Sequence, residues 1–143
     1  MSKRVVYLVR VWINPKFEKQ VLAWLDGGHT ADVVGQPGFI EAHRYRLEQD
    51  APDGWHAYVN LYLLESRQAL ENYFNDAKLH ERFGRERAAF NDAIRAERNW
   101  GVLQTLETPK RKAVKAAKAP AKKATAKKKP AAKKSGAKKK AKR

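Results

Sequence analysis

The chain has 143 residues, with 31 Lys and Arg against 15 Asp and Glu and no cysteine. The lack of cysteine excludes disulfides, thiolate metal sites and a cysteine nucleophile. The longest apolar run, residues 5–9, is far shorter than the roughly 18–20 residues of a membrane-spanning helix. The sequence therefore predicts a cytoplasmic protein without a membrane span.

The positive charge is concentrated at one end of the chain. Residues 110–143 hold seventeen of the cations and no acidic residue, which leaves 14 cations and all 15 acidic residues before them. A chain of Lys, Ala and Pro cannot bury enough apolar surface to fold alone. We therefore expect one folded domain at residues 1–108 and a disordered basic tail at residues 109–143.

The first predicted elements are a strand and an interrupted helix. Residues 5–13 are rich in β-branched and aromatic side chains, as strands are. Asn14 and Pro15 are typical of a helix N-cap and first helical position. The glycine pair at 27–28 is expected to interrupt this helix before a short one at 29–34. The first part of this helix has apolar residues at the spacing of a helix face that packs on the core, namely Phe17, Val21, Trp24 and Leu25.

Two further strands and a second helix follow. Residues 39–47 and 55–64 have strand-like composition and are separated by a turn-rich loop. Ser66 is the expected N-cap of a helix that runs towards Ile94, with a break near Gly84.

The last predicted strand covers residues 100–106. The order β-α-β-β-α-β predicts an α+β, ferredoxin-like fold with a four-stranded antiparallel sheet and the helices on one face. The opposite face would carry several apolar groups, too many to leave in contact with water. A homodimer that pairs two such faces is therefore expected.

One segment resembles a known superfamily. Residues 24–34, WLDGGHTADVV, precede a Pro-Gly-Phe turn at 37–39 and Arg-Tyr-Arg at 44–46. This pattern is similar to small bacterial members of the dimeric α/β-barrel superfamily, over roughly residues 3–107. The resemblance implies a ferredoxin-like fold that dimerises through its sheets. Members include monooxygenases, dechlorinating peroxidases, lactone-forming enzymes and stress-responsive proteins, so a shared fold does not determine function.

His29 is the candidate catalytic residue. It follows the glycine pair, where an imidazole can reach the end of the sheet, and the matching histidine of the resembling family lies near the pocket. It is therefore a candidate general base. Asp32, three residues on, would either orient it or cap a helix. A structural role for His29 is nevertheless the favoured interpretation, because no Ser–His–Asp or Cys–His spacing surrounds it.

A second group of strand residues is interpreted as a pocket or a dimer interface. Aromatic rings with a few polar groups suit a small-molecule pocket, but they also dominate protein interfaces, which is the favoured interpretation. The group consists of Arg10, Trp12, Tyr58, Asn60, Tyr62 and Gln104.

No metal or cofactor is predicted. His43 and His56 fall on neighbouring predicted strands, but no H-x-H spacing supports a metal site. A G-x-G-x-x-G motif and a P-loop are both missing, so the sequence carries no nucleotide-cofactor signal.

A series of arginines along the second predicted helix is interpreted as a solvated face, with a DNA-binding surface of the folded domain as the less favoured alternative. Acidic residues alternate with them at spacings that allow ion pairs. The series consists of Arg82, Arg85, Arg87, Arg95 and Arg98.

The basic tail is predicted to bind DNA, with RNA or polyphosphate as alternative partners. It resembles the Lys/Ala/Pro-rich arms of linker histones and of bacterial histone-like proteins. Lysine contacts phosphate but lacks the planar fork that reads base edges, so binding is expected to be independent of sequence. The predicted contacts are Lys110, Arg111, Lys112, Lys115, Lys118, Lys122, Lys123, Lys127, Lys128, Lys129, Lys133, Lys134, Lys138, Lys139, Lys140, Lys142 and Arg143.

Two functional hypotheses follow. The leading one is a dimeric, non-enzymatic, nucleoid-associated DNA-binding protein that uses two lysine-rich arms. The alternative is a monooxygenase- or lyase-like small-molecule enzyme of the dimeric α/β-barrel superfamily, with His29 as acid or base and the tail as a localising device.

Overall fold

A computed structural model of the chain describes residues 3–110. The predicted nucleic-acid contacts from Arg111 to Arg143 lie outside this range, and Lys110 is an exposed residue at its end. The first of two units, Met1–Leu106, contains every helix and strand described below.

The sheet has four antiparallel strands in the order β2-β3-β1-β4. They are β1 (Val5–Ile13), β2 (Phe39–Arg46), β3 (His56–Leu64) and β4 (Ile94–Val102). β1 and β3 are the central strands and carry the longest apolar stretches. The helices cover one of their faces, and most of their side chains on the other face are half-buried. The predicted α+β, ferredoxin-like arrangement is confirmed.

The helices come in two pairs, one in each crossover. The first pair is α1 (Glu18–Trp24) and α2 (Thr30–Val34), and the second is α3 (Arg67–Phe74) and α4 (Ala77–Arg87). Among residues 3–110, no helix is long and apolar enough to cross a membrane.

The helix starts follow the predicted caps. The Asn14 side chain accepts a hydrogen bond from the Lys16 amide, and Pro15 opens a 3-10 turn before α1. Ser66 Oγ accepts from the Ala69 amide at the start of α3. In each case a side-chain oxygen satisfies an amide that the helix itself leaves unpaired.

The predicted helix break near Gly84 was wrong. The break lies at Asn75 and Asp76, where the Asp76 carboxylate caps a new helix by accepting from the Leu79 amide at 3.1 Å. α4 then runs through Gly84 without interruption. An aspartate cap two residues after Phe74 therefore ends one helix and starts the next.

The predicted fourth strand at 100–106 was also wrong in its bounds, because β4 starts six residues earlier at Ile94 and ends at Val102. β4 is an edge strand, and most of its side chains are exposed. Its polar residues therefore conceal the strand in the sequence. Pairing of Ile94 with Ile13, both buried, determines where it begins.

The core lies between the helices and one face of the sheet. One buried cluster joins β1 and β3 to α2, α3 and α4, and a second joins the end of β1 to α1 and the start of β4. The opposite face of the sheet, the open face, carries half-buried aliphatic side chains from the two central strands. These are Val6, Leu8, Val59, Leu61 and Leu63.

Candidate functional site

A cavity of about 220 Å³ lies between the helix-covered face of the sheet and the helices. Tyr7, Asn60 and Tyr62 line it from the two central strands. Trp24 and His29 line it from the first crossover. Aromatic walls with a few polar groups are typical of small-molecule sites.

The turn between α1 and α2 brings His29 to this cavity. Residues Leu25–His29 form a kink that joins α1 to α2, and across it the Thr30 amide donates to the Leu25 carbonyl. Gly28 adopts a φ of 149° within it, a conformation that side chains rarely adopt. The glycine pair thus provides the kink at which the chain leaves α1 and continues into α2.

The His29 ring is held between two aromatic rings. It stacks on Trp24, with centroids 4.3 Å apart and planes at 24°, and meets Phe83 of α4 edge to face at 4.6 Å. Only 15% of its side chain is exposed. Its orientation is therefore determined by packing.

The charge state of His29 follows from this burial. Burial lowers its pKa, while the Glu86 and Asp32 carboxylates partly offset this effect and the Arg82 and Arg87 guanidinium groups add to it. Nδ1 lies 3.9 Å from Glu86 Oε1, too far for a hydrogen bond. His29 is thus a neutral imidazole at neutral pH, with a carboxylate nearby to stabilise a bound proton.

Asp32 does not bind His29. Its carboxylate accepts a hydrogen bond from Arg82 at 3.0 Å, and Arg82 also donates to Glu86 at 3.1 Å. Arg82 therefore fixes the two carboxylates that surround the imidazole.

Three residues of the cavity wall carry buried polar atoms without a hydrogen-bond partner among residues 3–110. They are Nδ1 of His29, Oδ1 of Asn60 and Nε of Arg87. An unpaired buried polar group costs about 1–3 kcal/mol. A cavity that collects three such groups is suited to a ligand with polar atoms of its own.

Three tyrosines form the wall on the other side. The rings of Tyr7 and Tyr62 stack at 5.8 Å, and Tyr73 of α3 lies 6.0 Å from Tyr7. Burial raises the pKa of Tyr62 to about 12 and raises the pKa values of Tyr7 and Tyr73 as well. All three phenols therefore remain neutral at physiological pH and are available as hydrogen-bond donors.

The sequence profile of the family described as "Domain of unknown function (DUF4286)" matches residues 4–96. The chain belongs to the DUF4286 family. No curated protein sequence matches it.

Several crystal structures are similar to this DUF4286 domain. SnoaB, a cofactor-independent oxygenase from Streptomyces nogalater, is 18% identical with a TM-score of 0.51, and the match covers 73% of this chain and 97% of SnoaB. A monooxygenase from the gene ActVA-Orf6 of Streptomyces coelicolor is 19% identical with a TM-score of 0.53, over 76% and 94% of the two chains. A dimeric ferredoxin-like protein from an uncultured marine organism is 12% identical with a TM-score of 0.54, over 75% and 100%.

These matches confirm the ferredoxin-like fold that the sequence resemblance implies. Identities this low show a shared fold and leave the activity open. The DUF4286 family description likewise names no activity. The cavity is therefore the feature of this DUF4286 protein that bears on its function.

The six residues predicted as a pocket or interface are divided by the sheet. Asn60 and Tyr62 line the cavity beside His29. Tyr58 lies on the same face, outside the lining, and donates to the Glu18 carboxylate. Arg10 and Trp12 lie on the open face, opposite Val59 and Ala57. Gln104 is an exposed residue beyond the end of β4.

The two strand histidines are also separated. His43 lies on the open face, in register with Leu61, whereas His56 is in register with Ile13 and contacts Glu18 through Nδ1 at 2.9 Å. Within residues 3–110, no group of three potential ligands could hold a metal ion.

The arginine series is only partly a salt-bridged surface. Arg82 and Arg85 form i,i+4 ion pairs with Glu86 and Glu81, as the alternating signs suggest. Arg95 pairs instead with Asp53, which is distant in the sequence. Arg87 and Arg98 instead line the cavity. Sequence periodicity could not show that these two arginines share a cavity, because Arg87 lies on α4 and Arg98 on β4.

His80 is a further lining residue that sequence patterns missed. Its Nε2–H donates to the Tyr73 carbonyl at 2.7 Å, and its ring meets the Tyr73 ring edge to face at 4.7 Å. The sequence pattern predicted the helix break near Gly84 instead of at Asp76. It therefore did not show that His80 lies in the first turn of a new helix.

Proposed function

We propose that this domain is an enzyme that holds a small aromatic molecule in the cavity and uses His29 to move a proton. The observation that carries the proposal is a buried, neutral imidazole with an unpaired ring nitrogen in an aromatic cavity. This was the alternative of the two hypotheses drawn from the sequence. The geometry and the oxygenase neighbours support it over a purely non-enzymatic domain.

His29 is suited to act as a general base. It is unprotonated at neutral pH because burial lowers its pKa. Once it accepts a proton, the resulting charge is stabilised by Glu86 at 3.9 Å. General bases work best when their pKa lies near the working pH and a partner favours the protonated form.

The size of the cavity limits the substrate. Pockets for drug-sized ligands occupy roughly 300–1,000 Å³, and this cavity measures about 220 Å³. A molecule of one or two fused rings fits that volume. Trp24, Phe83 and Tyr62 provide ring faces and edges against which a planar molecule can pack.

The reaction class we propose is oxygenation, in line with the names of two structural neighbours. His29 removes a proton from an acidic CH₂ next to a ring ketone. The carbanion gives its electrons to O₂. The O–O bond then breaks, so that one oxygen becomes a new carbonyl on that carbon and the other leaves as water with the two substrate hydrogens.

The test uses full-length protein with 2-tetralone, a bicyclic ketone with an acidic CH₂. We expect O₂ uptake and entry of one ¹⁸O atom from ¹⁸O₂ into the product. His29→Gln should lower kcat by at least about 100-fold, the usual contribution of a general base. His43→Gln, on the open face, is the matched control and should not change kcat. Equal rates for His29→Gln and the unmodified enzyme would refute the role of His29.

We further propose that the basic tail binds nucleic-acid phosphates, independently of the cavity. The supporting observation is the distribution of charge: seventeen cations and no acidic residue in residues 110–143. Neutralising even eight phosphates gives a logarithmic salt slope of roughly −7 on duplex DNA.

The tail is tested by replacing its Lys-Lys and Lys-Lys-Lys runs with glutamines in the full chain. Gel shifts across a salt series should show weaker binding and a shallower slope for this variant. Parallel assays with duplex DNA, RNA and polyphosphate identify the preferred partner. Equal affinity of both proteins for all three polyanions near physiological salt would contradict the proposal.

A further inference from the structure

Two arginines in the cavity wall lack an acidic partner. Arg87 of α4 and Arg98 of β4 both line the cavity, and within residues 3–110 neither forms a salt bridge. Arg82, Arg85 and Arg95, from the same stretch of chain, are each paired with a carboxylate. Within this stretch of chain, the arginines without a carboxylate partner are therefore the two that line the cavity.

The environment of Arg87 is unfavourable for a cation. Burial and the nearby charge of Arg98 both lower its pKa. Its Nε is buried without a partner, and Nη2 donates only a long hydrogen bond of 3.4 Å to the Ile94 carbonyl. Two like charges share this end of the cavity, so an anion would relieve both repulsion and desolvation.

Arg98 adds a second donor group beside the aromatic wall. It is close enough to Tyr7 to offset part of the rise that burial causes in the pKa of that phenol. A guanidinium group is planar and presents its N–H donors as a fork that matches a carboxylate. Two such groups next to stacked aromatic rings combine an anion site with a ring site.

We infer that the ligand of this cavity is an aromatic carboxylate whose anionic group is held by Arg87 and Arg98. The inference rests on the proposed function of the cavity as a small-molecule site, and it specifies that the aromatic ketone proposed there also carries a carboxylate. The ring lies in the aromatic part of the cavity, and the carboxylate provides the acceptors that the Arg87 guanidinium lacks. Such a ligand also neutralises one of the cations that lower the pKa of His29.

The test compares 2-naphthoate with 2-naphthamide, which has a similar shape but no charge. Binding to the full-length protein is measured by calorimetry and by quenching of tryptophan fluorescence. We expect 2-naphthoate to bind at least tenfold more tightly than 2-naphthamide. Arg87→Met and Arg98→Met should each reduce this preference by about tenfold, because methionine retains an apolar stem but no charge.

Arg85→Met is the matched control. Arg85 lies on the same helix, its side chain is 67% exposed, and it pairs with Glu81 outside the cavity wall. All variants keep the basic tail, so any attraction of 2-naphthoate to the tail is the same in each protein. Circular dichroism checks that each variant folds, and Arg98→Met, on an exposed edge strand, keeps the test decisive if Arg87→Met does not fold.

A second readout is the His29 resonance in proton NMR. Saturation with 2-naphthoate should raise the pKa of His29, since the ligand offsets the charge of Arg87, and 2-naphthamide should raise it less. Equal affinity for both ligands, or a preference that survives both arginine variants, would overturn the anion site while leaving the cavity a binding site. If neither ligand bound, both the proposed function and this inference would be contradicted.

Discussion

The imidazole of His29 lies nearly parallel to the indole of Trp24, five residues earlier, with ring centroids 4.3 Å apart. On a regular α-helix, two residues five apart would point about 140° away from each other. The kink at Leu25–His29 removes this divergence and places both rings on the cavity side. The stack therefore depends on Gly28, whose φ of 149° allows the turn.

The pKa of His29 should lie below 6.5, its ordinary value, because the folded protein buries the ring. Glu86→Gln should lower it further, since the carboxylate favours the protonated form. Proton NMR titration of the histidine ring measures both shifts. A midpoint at or above 6.5 in the unmodified protein would contradict the proposed burial of a neutral base.

The same shift makes stability depend on pH. The folded form of His29 resists protonation, so its stabilising contribution is complete above pH 6.5 and is lost as the pH falls towards the lower folded-state pKa. In urea titrations at a series of pH values, His29→Phe should lose this part of the pH dependence. If the free energy of unfolding had the same pH dependence in both proteins, the proposed contribution of His29 would be contradicted.

The hydrogen bond from Tyr58 to Glu18 should contribute to stability by joining β3 to α1. Burial alone would raise the pKa of Glu18, but hydrogen bonds from Tyr58 and His56 outweigh it and lower that pKa. Tyr58→Phe should lower the free energy of unfolding by about 1 kcal/mol, the usual net value of such a bond. The loss should diminish below pH 4.5, as Glu18 becomes protonated.

Gln20→Ala is the control for this measurement, because Gln20 is an exposed residue of the same helix as Glu18. Its effect should stay within about 0.5 kcal/mol. Equal losses for the two variants would show that the Glu18 contact adds nothing to stability.

Gly38→Ala should destabilise the protein by about 3 kcal/mol, from left-handed backbone strain and overpacking together. Gly38 has a φ of 85°, and a Cβ there would lie 2.3 Å from the Cβ of Ala69. Thermal and urea unfolding measure the change. Ala69→Gly in the same chain should recover part of the loss by removing the clash.

Gly84→Ala is the opposite case and serves as the control. Gly84 lies inside α4, and a Cβ there meets nothing within 4 Å. Alanine should therefore stabilise the helix by about 0.5–1 kcal/mol. If both glycine variants changed stability in the same direction, the contrast drawn between these positions would be wrong.

The open face should pair two copies of the chain, as the dimeric fold family suggests. Leu8 and Leu61 are cross-strand partners in its centre. Sedimentation should show a dimer for the full chain, and Leu61→Glu should shift it towards monomer because a buried, unpaired carboxylate is costly. Gln68→Glu, at an exposed position of α3, should leave the dimer intact. A monomeric unmodified chain would refute this pairing.

Local patterns predicted much of the fold. β1 matches its prediction at both ends, because nine residues of nearly continuous β-branched and apolar character have no other simple interpretation. Asn14 and Ser66 cap helices as predicted. β4 was misplaced because the charged residues of an edge strand have the appearance of a solvated segment.

The site was only partly visible in the sequence. His29 could be selected because it follows a glycine pair that was expected to interrupt the helix. Its stacking on Trp24 depends on the angle of the kink there, which no sequence pattern gives. Arg10 pairs with Val59, and Tyr58 is the next residue on the same strand. Because successive side chains of a strand point to opposite faces, Arg10 and Tyr58 lie on opposite faces of the sheet.

The sequence by itself determined the strand and helix types, the charge division between residues 1–109 and the basic tail, and the likeness to the superfamily. These are properties of neighbouring residues, and spacing along the chain records them. Only the tertiary structure brought Arg87 and Arg98 together with His29, Asn60 and Tyr62 around one cavity. Helix packing and strand register, which join segments far apart in the chain, decide which side chains share a site.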